Sequence, residues 1–266
     1  MALSSLTIGC VQADLAWENP EENRRKLSLL FEQAIQKQKL DLLVLPEMFT
    51  TGYTMNVASL AEPVQGPTLE WMKEKSFVAD ALLIGTIIVK EANQFFNRLY
   101  CVFPSGEFIT YDKRHLFRMA GEHNFFTAGK KRIIFEWRGF RICPLICYDL
   151  RFPVFSRNNL KGGEGYDLLI YVANWPERRI FHWTQLLIAR AIENQSYVVG
   201  TNRVGVDGNG IYYNGQSAII SPLGEYLLSP TDKQEVGIAS ISLDTLSSYR
   251  NNFPAFQDAD TFSIVY

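Results

Sequence analysis

The chain has 266 residues, 47% apolar and 20% charged, with a formal net charge of −2. That mix suits one large globular core and gives no basic excess for nucleic acid or an anionic membrane. No stretch approaches the ~20 apolar residues that cross a bilayer, and the first apolar run, 7–12, is too short and wrongly flanked for a signal peptide, so the chain reads as soluble and cytoplasmic.

Strand and helix signals alternate from there. Residues 7–12 read as a strand. Asn19 is placed to cap a helix, with Pro20 at its first position and Glu21 and Glu22 in its first turn. Leu27, Leu30, Phe31, Ala34 and Ile35 follow at helical spacing. A strand is predicted over 41–46, a helix over 68–80 and a buried strand over 82–89. Residues 97–113 read as a hairpin turning at Pro104-Ser105-Gly106. A second hairpin turns at Arg138-Gly139 and leads to Cys147. A strand over 167–172 and a helix over 181–194 follow, the helix with Trp183, Leu186, Leu187 and Ala191 on one side. A strand over 197–201 and a hairpin over 213–228, turning at Pro222-Leu223-Gly224, complete the series.

The two halves of the chain resemble each other. Leu42-Leu43-Val44 parallels Leu168-Leu169-Ile170, Ile84-Gly85-Thr86 parallels Val199-Gly200-Thr201, and Pro104-Ser105-Gly106-Glu107 parallels Pro222-Leu223-Gly224-Glu225, at offsets of 126, 115 and 118 residues. Chance likeness between turn residues is the alternative; otherwise two related βα halves follow. The expectation is an α/β fold, a four-layer αββα sandwich with two pseudo-symmetric halves. No Ser- or Pro-rich linker divides it, so 1–266 reads as a single domain.

Three residues stand where strands end. Phe140-Arg-Ile-Cys-Pro-Leu-Ile reads as a buried strand delivering Cys147 to a sharp strand-to-helix junction, which predicts an exposed thiol with thiolate character. Asp41-Leu-Leu-Val-Leu-Pro-Glu47 ends in a carboxylate, suited to a general base if it is desolvated there. Lys113 closes the 97–113 hairpin. Taken singly, Cys147 reads as a small core residue, and Glu47 and Lys113 as solvated charges. Together they form a set at the strand ends, where open α/β sheets gather their ligand sites.

The four cysteines are Cys10, Cys101, Cys143 and Cys147. They are scattered, without a CxxC pair, so they suggest neither a disulfide scaffold nor a metal centre. Cys143 and Cys147 share a strand face but lie ~13 Å apart, too far to bridge. His115, His123 and His182 form no ligand motif. His115 and His123 flank Lys113 and Glu122, so they either line the same pocket or are structural.

Three blocks then carry a resemblance: Leu45-Pro46-Glu47-Met48-Phe49, Tyr111-Asp112-Lys113-Arg114-His115-Leu116-Phe117 and Ile146-Cys147-Tyr148-Asp149-Leu150-Arg151-Phe152-Pro153. Their order and content resemble the signature blocks of the nitrilase superfamily of carbon–nitrogen hydrolases, from about Thr7 to the Phe253-Pro254-Ala255-Phe256 tail. The resemblance implies Glu47 as general base, Lys113 as the oxyanion-stabilising cation, Cys147 as nucleophile and Glu122 as support for the lysine. It implies the same four-layer fold and a homodimer or larger assembly, which the apolar tail around Phe253 would suit. Ala173-Asn174-Trp175-Pro176 and Arg190-Ala191-Ile192-Glu193-Asn194-Gln195, with the Arg151-Phe152-Pro153 ending, look most like the bacterial ω-amidase branch, which acts on small amides such as 2-oxoglutaramate.

On that reading the partner is a small-molecule amide, and no metal or organic cofactor is required. The backbone N–H of Tyr148 joins Lys113 at the oxyanion. An ω-amide carries a carboxylate at its far end, which calls for a cation. Arg151, four residues past Cys147, is the leading candidate; an internal ion pair with Asp149 or Glu177 is its alternative, and Arg178, Arg179 and Arg203 are reserves. Tyr53, Phe117, Tyr148 and Trp175 are candidate walls, Trp175 first among them. The rival readings are an N-carbamoyl amino acid or nitrile hydrolase of the same superfamily, and a catalytically silent scaffold.

Overall fold

The computed structural model of the chain describes residues 5–163 and 165–264. Its first half runs β1 (Ser5–Gln12), α1 (Pro20–Lys37), β2 (Leu42–Val44), α2 (Val57–Leu60), β3 (Glu62–Pro63), α3 (Pro67–Ala79), β4 (Leu82–Glu91), β5 (Gln94–Val102) and β6 (Phe108–Asp112). The second runs β7 (Phe135–Trp137), β8 (Phe140–Ile146), α4 (Pro153–Ser156), β9 (Leu168–Val172), α5 (Ile180–Asn194), β10 (Tyr197–Thr201), β11 (Val204–Val206), β12 (Tyr212–Asn214), β13 (Ala218–Ile220) and β14 (Tyr226–Leu228). Then β15 (Glu235–Ser242) and α6 (Leu243–Asn252) follow.

Local chemistry sets the helix ends. The Asn19 side chain accepts from the Glu22 N–H at 3.1 Å, as the cap signal required, and Pro20 opens α1. Leu27, Phe31 and Ala34 are its buried stripe. Asp80 stops α3 in the left-handed region at φ 50°.

Two sheets stack face to face. The first has the order β15-β1-β2-β4-β5-β6, with β3 also paired to β4; the second has β14-β13-β10-β9-β8-β7. Read from opposite ends, the orders match: β1, β2 and β4 are parallel neighbours, as are β8, β9 and β10, and each trio is extended by antiparallel strands. The half-chain similarity is therefore structural, down to turn glycines Gly106 and Gly224, both at φ 84°. Leu6, Ile8, Cys10, Val44 and Ile84 of the first sheet share one buried core with the second. The first sheet's outer face, with Leu43 and Leu83, packs on Leu27 and Phe31 of α1 and on Leu69 and Met72 of α3. Gly200 lies under α5: a Cβ there would meet Leu187 Cδ1 at 2.4 Å. Helix, sheet, sheet and helix thus make four layers, as expected.

Two readings need correction. The hairpin over 213–228 is split. β12 pairs with β11 in a separate two-stranded sheet, because Gly215 (φ 71°) and Gln216 (φ 66°) turn the chain before β13 joins β10. The strand predicted over 41–46 is β2 over Leu42–Val44, flanked by Asp41 and Leu45, whose N–H groups still donate to the Thr7 and Ile84 carbonyls at 2.8 and 2.7 Å, and it ends before Pro46. β15 and α6 add a strand and a helix beyond the elements predicted from the sequence.

Candidate active site

β2, β6 and β8 point their carboxyl ends to one side of the sandwich. Just past them stand Glu47, Lys113 and Cys147, and Glu122 joins them from a turn of 3-10 helix at Glu122–Asn124. Glu47 and Glu122 are wholly buried, Lys113 is 1% exposed and Cys147 is 9% exposed. The Lys113 ammonium lies 2.8 Å from Glu47 Oε1 and 2.9 and 3.0 Å from the two oxygens of Glu122. One cation thus sits between two buried carboxylates. Burial works against its charge, but Glu122 and Glu47 outweigh that and hold Lys113 well above the ordinary ammonium range. Burial lifts the Glu122 carboxyl above its ordinary value despite Lys113.

Two asparagines complete the cluster. Asn97 on β5 donates from Nδ2 to Glu47 Oε1 at 2.8 Å. The Asn174 backbone N–H donates to Glu47 Oε2 at 3.0 Å, and its side chain donates to the Glu47 carbonyl. Glu47 is therefore fixed at both oxygens. Asn174 lies in one of the blocks that carry the resemblance; Asn97 lies in none of them. Its sequence signal was a buried amide inside the apolar run Phe95-Phe96-Asn97-Arg98-Leu99-Tyr100, since such a group needs a partner.

Cys147 opens a turn of 3-10 helix, Cys147–Arg151, at φ +41°, in the left-handed region that residues with a Cβ rarely adopt. The bend turns its side chain out of β8 toward Glu47. The expected exposed thiolate is not what stands there. The thiol is buried, and its pKa is pushed well up by that burial and by the neighbouring Glu47 charge, with Lys113 opposing. The resting state is a neutral thiol beside a base. The predicted strand-to-helix junction also holds only a single 3-10 turn and a four-residue helix, too short for a helix N-terminus to favour the thiolate. Cys10, Cys101 and Cys143 are fully buried and free.

Above this floor opens a cavity of about 600 Å³. Tyr53, Phe117, Tyr148 and Trp175, the four predicted wall residues, all line it. So do Arg151, Arg178 and Arg179, whereas Arg203 is buried beneath Tyr213 and does not. Arg151 makes no ion pair with Asp149 or Glu177. Its guanidinium lies 4.8 Å from the Trp175 ring centroid and shares a 3.0 Å hydrogen bond with His182 Nδ1. The two carboxylates in the upper wall are already engaged: Glu18 by Thr54 and Asn56, Asp207 by backbone N–H groups and the Tyr213 hydroxyl. The arginines are the cations such a cavity offers an anionic ligand. His115 and His123 do not line it; they border a neighbouring groove behind Tyr148. Among the described residues, no three His, Cys, Asp or Glu side chains gather as a metal-binding group.

One glycine holds the lysine in place. The Gly129 N–H donates to the Lys113 carbonyl at 2.9 Å, and a Cβ at Gly129 would lie 2.0 Å from the Asp112 carbonyl oxygen. That is backbone and cannot rotate away. Gly129→Ala is expected to cost about 1–3 kcal/mol of stability and to lower kcat on the order of 100-fold by displacing Lys113. Thermal melting and steady-state kinetics of the variant check both; wild-type values would contradict the packing.

A carbon–nitrogen hydrolase family model matches residues 7–251. The chain is 47% identical to the omega-amidase YafV of Yersinia enterocolitica, over 99% of this chain and 100% of that one. It is 34% identical to 2-oxoglutaramate amidase of Bacillus subtilis, over 95% and 96% of the two chains. Among solved structures it is similar to XC1258 of Xanthomonas campestris, a CN-hydrolase superfamily protein with an arsenic adduct in its active site (TM-score 0.94, 40% identity, 98% and 99% coverage). Nit3 of Saccharomyces cerevisiae, a member of branch 10 of the nitrilase superfamily, shares the fold at TM-score 0.85 and 22% identity, over 94% and 95% of the two chains.

Proposed function

Because the chain belongs to the carbon–nitrogen hydrolase family, within the nitrilase superfamily and as an amide hydrolase, we propose that it is an ω-amidase. It releases ammonia from a small amide bearing a carboxylate at its other end, of the 2-oxoglutaramate type. The observation that carries this is one cavity with two poles: Cys147 and Lys113 at its floor, with the buried Glu47 and Glu122 bonded to Lys113 behind them, and Arg151, Arg178 and Arg179 in its wall. Near-complete alignment with an omega-amidase and a 2-oxoglutaramate amidase supports it.

In this reading Glu47 takes the Cys147 proton as Sγ attacks the amide carbon. The carbonyl electron pair moves onto oxygen, which meets the Lys113 ammonium and the Tyr148 N–H. The carbon–nitrogen bond then breaks, Glu47 returns its proton to the leaving nitrogen, and ammonia departs from a Cys147 thioester. Glu47 next deprotonates a water, which attacks the thioester; the acid leaves and the thiol is restored. Glu122 stays in place, fixing Lys113. Arg151, steadied against Trp175, holds the far carboxylate. No step calls for a metal or organic cofactor.

Ammonia release from 2-oxoglutaramate, 2-oxosuccinamate, glutamine, an N-carbamoyl amino acid and a simple nitrile tests this. Preference for the two oxo-amides is expected, and Arg151→Ala should raise KM for them on the order of 10–100-fold, as loss of a charge-assisted hydrogen bond to a carboxylate implies. Preference for the carbamoyl compound or the nitrile would move the chain to those rival activities. The working unit in this reading is a single cytoplasmic domain in a homodimer or larger assembly. Exposed Phe181, Ile192 and Phe253 support the assembly, the match over residues 7–251 supports the single domain, and no helix among the described residues is long and apolar enough to cross a membrane.

A further inference from the structure

Asp149 stands two residues past Cys147 and is wholly buried. Its carboxylate takes four hydrogen bonds. Oδ2 accepts from the Tyr111 hydroxyl at 2.8 Å and the Ile146 N–H at 3.0 Å; Oδ1 accepts from the His115 N–H at 3.1 Å and from His115 Nδ1 at 2.7 Å. An ionised carboxylate has no proton to give, so Nδ1 is the donor. Burial and the Asp149 charge hold Tyr111 well above the ordinary phenol range, which keeps its hydroxyl a donor too. The Tyr111 oxygen in turn accepts from the Arg114 N–H at 3.1 Å.

The positions of these donors matter. Tyr111 and His115 lie two residues on either side of Lys113, and Ile146 immediately precedes Cys147. Tyr111 belongs to the first sheet and Ile146 to the second. One carboxylate therefore ties the strand end that carries the ammonium to the strand end that carries the thiol. The His115 ring stacks on Phe152, with centroids 3.8 Å apart and planes 8° from parallel, closing the brace on the residue after the 3-10 turn. The Ile146 bond also pins the backbone where Cys147 is bent to φ +41°. None of these groups lines the cavity, so none touches substrate.

We propose that Asp149 is a positioning residue for the reaction: with His115 as its half-buried arm, it sets the placement of the Cys147 sulfur relative to Lys113 and Glu47. This rests on the roles given above to Cys147 and Lys113. In Asp149→Asn an NH2 group would face two of the four donors, so the brace cannot re-form in either amide orientation.

The experiment compares wild type with Asp149→Asn, His115→Asn and His115→Phe. It records kcat and KM for the preferred amide, the iodoacetamide labelling rate of Cys147 by peptide mass spectrometry, and thermal melting. Asparagine at 115 keeps a donor near the place of Nδ1; phenylalanine keeps the stack on Phe152 and loses the donor. Asp149→Asn is expected to lower kcat on the order of 100-fold, as misplacement of ~1 Å does, to slow Cys147 labelling about tenfold or more and to leave KM within about threefold. His115→Phe should follow it in direction, and His115→Asn should stay within about threefold of wild type. Unchanged kcat and labelling in Asp149→Asn, a loss confined to KM, or equal losses in the two His115 variants would each overturn the proposal. Should Asp149→Asn fail to fold, the His115 pair decides alone, because that side chain is 21% exposed. Labelling needs no substrate, so it stands whichever amide is preferred. A wild-type Cys147 that does not label would remove the nucleophile assignment and this proposal with it.

Discussion

Lys113→Met is expected to lower stability by about 3–5 kcal/mol, the range for stranding buried charges by deleting their partner. The reason lies in the count of charges at the floor. Lys113 is 1% exposed and bonds two carboxylates that water does not reach. Without it, Glu47 and Glu122 face each other with Asn97 bridging them and one backbone N–H on each, and with no opposing charge. Activity should fall by at least ~10²–10³ if Lys113 also holds the oxyanion. The double variant Lys113→Met, Glu122→Gln has the same net charge at the floor as the wild type, so it should regain part of the stability and none of the activity. Acid should help the single variant. Burial already holds Glu122 above its ordinary 4.5, so the folded chain binds that proton more tightly than the unfolded chain does. The cost of ionising Glu122 is absent below pH 4.5 and full above the folded pKa; losing Lys113 widens that window. Urea unfolding of the three proteins across pH checks the account. A single variant as stable as wild type, or a double no more stable than the single, would contradict it.

Cys147→Ala is expected to remove turnover by a factor on the order of 10⁵ or more, the scale of losing a nucleophile, while leaving the fold and melting temperature nearly unchanged. The wild-type thiol should label with iodoacetamide while Cys10, Cys101 and Cys143, all at 0% exposure, stay unlabelled in the folded protein. The pH dependence of labelling carries more information. The Cys147 pKa lies well above the ordinary 9.0 because burial and Glu47 disfavour the thiolate. Thiolate therefore accumulates only as pH rises, and labelling should keep rising past pH 9.0 without a plateau below it. A plateau at neutral pH would mean a preformed thiolate and would remove the need for Glu47 to accept the proton in the acylation step.

The architecture was legible because its signals are local and repeated. Asn19-Pro20, the turns at Gly106 and Gly224 and the apolar runs each specify a neighbourhood, and the halves repeat them. Glu47, Lys113 and Cys147 were legible as strand-end residues. What the sequence concealed depends on tertiary contact. Nothing local tells β15 to pair antiparallel with β1 across more than 200 residues. The split at Gly215 was hidden because a turn within a β-rich stretch looks the same whether the next strand stays in the sheet or leaves it. The thiol was misjudged for a related reason: a strand tip is exposed only until other loops cover it. Here the segments bearing Glu47, Lys113 and Glu122 stand around it, and the same burial makes a neutral thiol beside a base the resting form. Arg151 was placed in the right turn, but its partners Trp175 and His182 come from elsewhere in the chain, so an ion pair with Asp149 or Glu177 was the wrong alternative. Asp149 itself is committed to the brace behind the site.

The central claim is that amide hydrolysis runs through a thioester on Cys147. Rapid acid quench of enzyme turning over the preferred oxo-amide, followed by intact-protein and peptide mass spectrometry, tests it most directly. The account predicts a transient acyl adduct on the peptide containing Cys147, absent from Cys147→Ala. Steady ammonia release with no adduct on that peptide at any quench time, together with turnover surviving in Cys147→Ala, would contradict it.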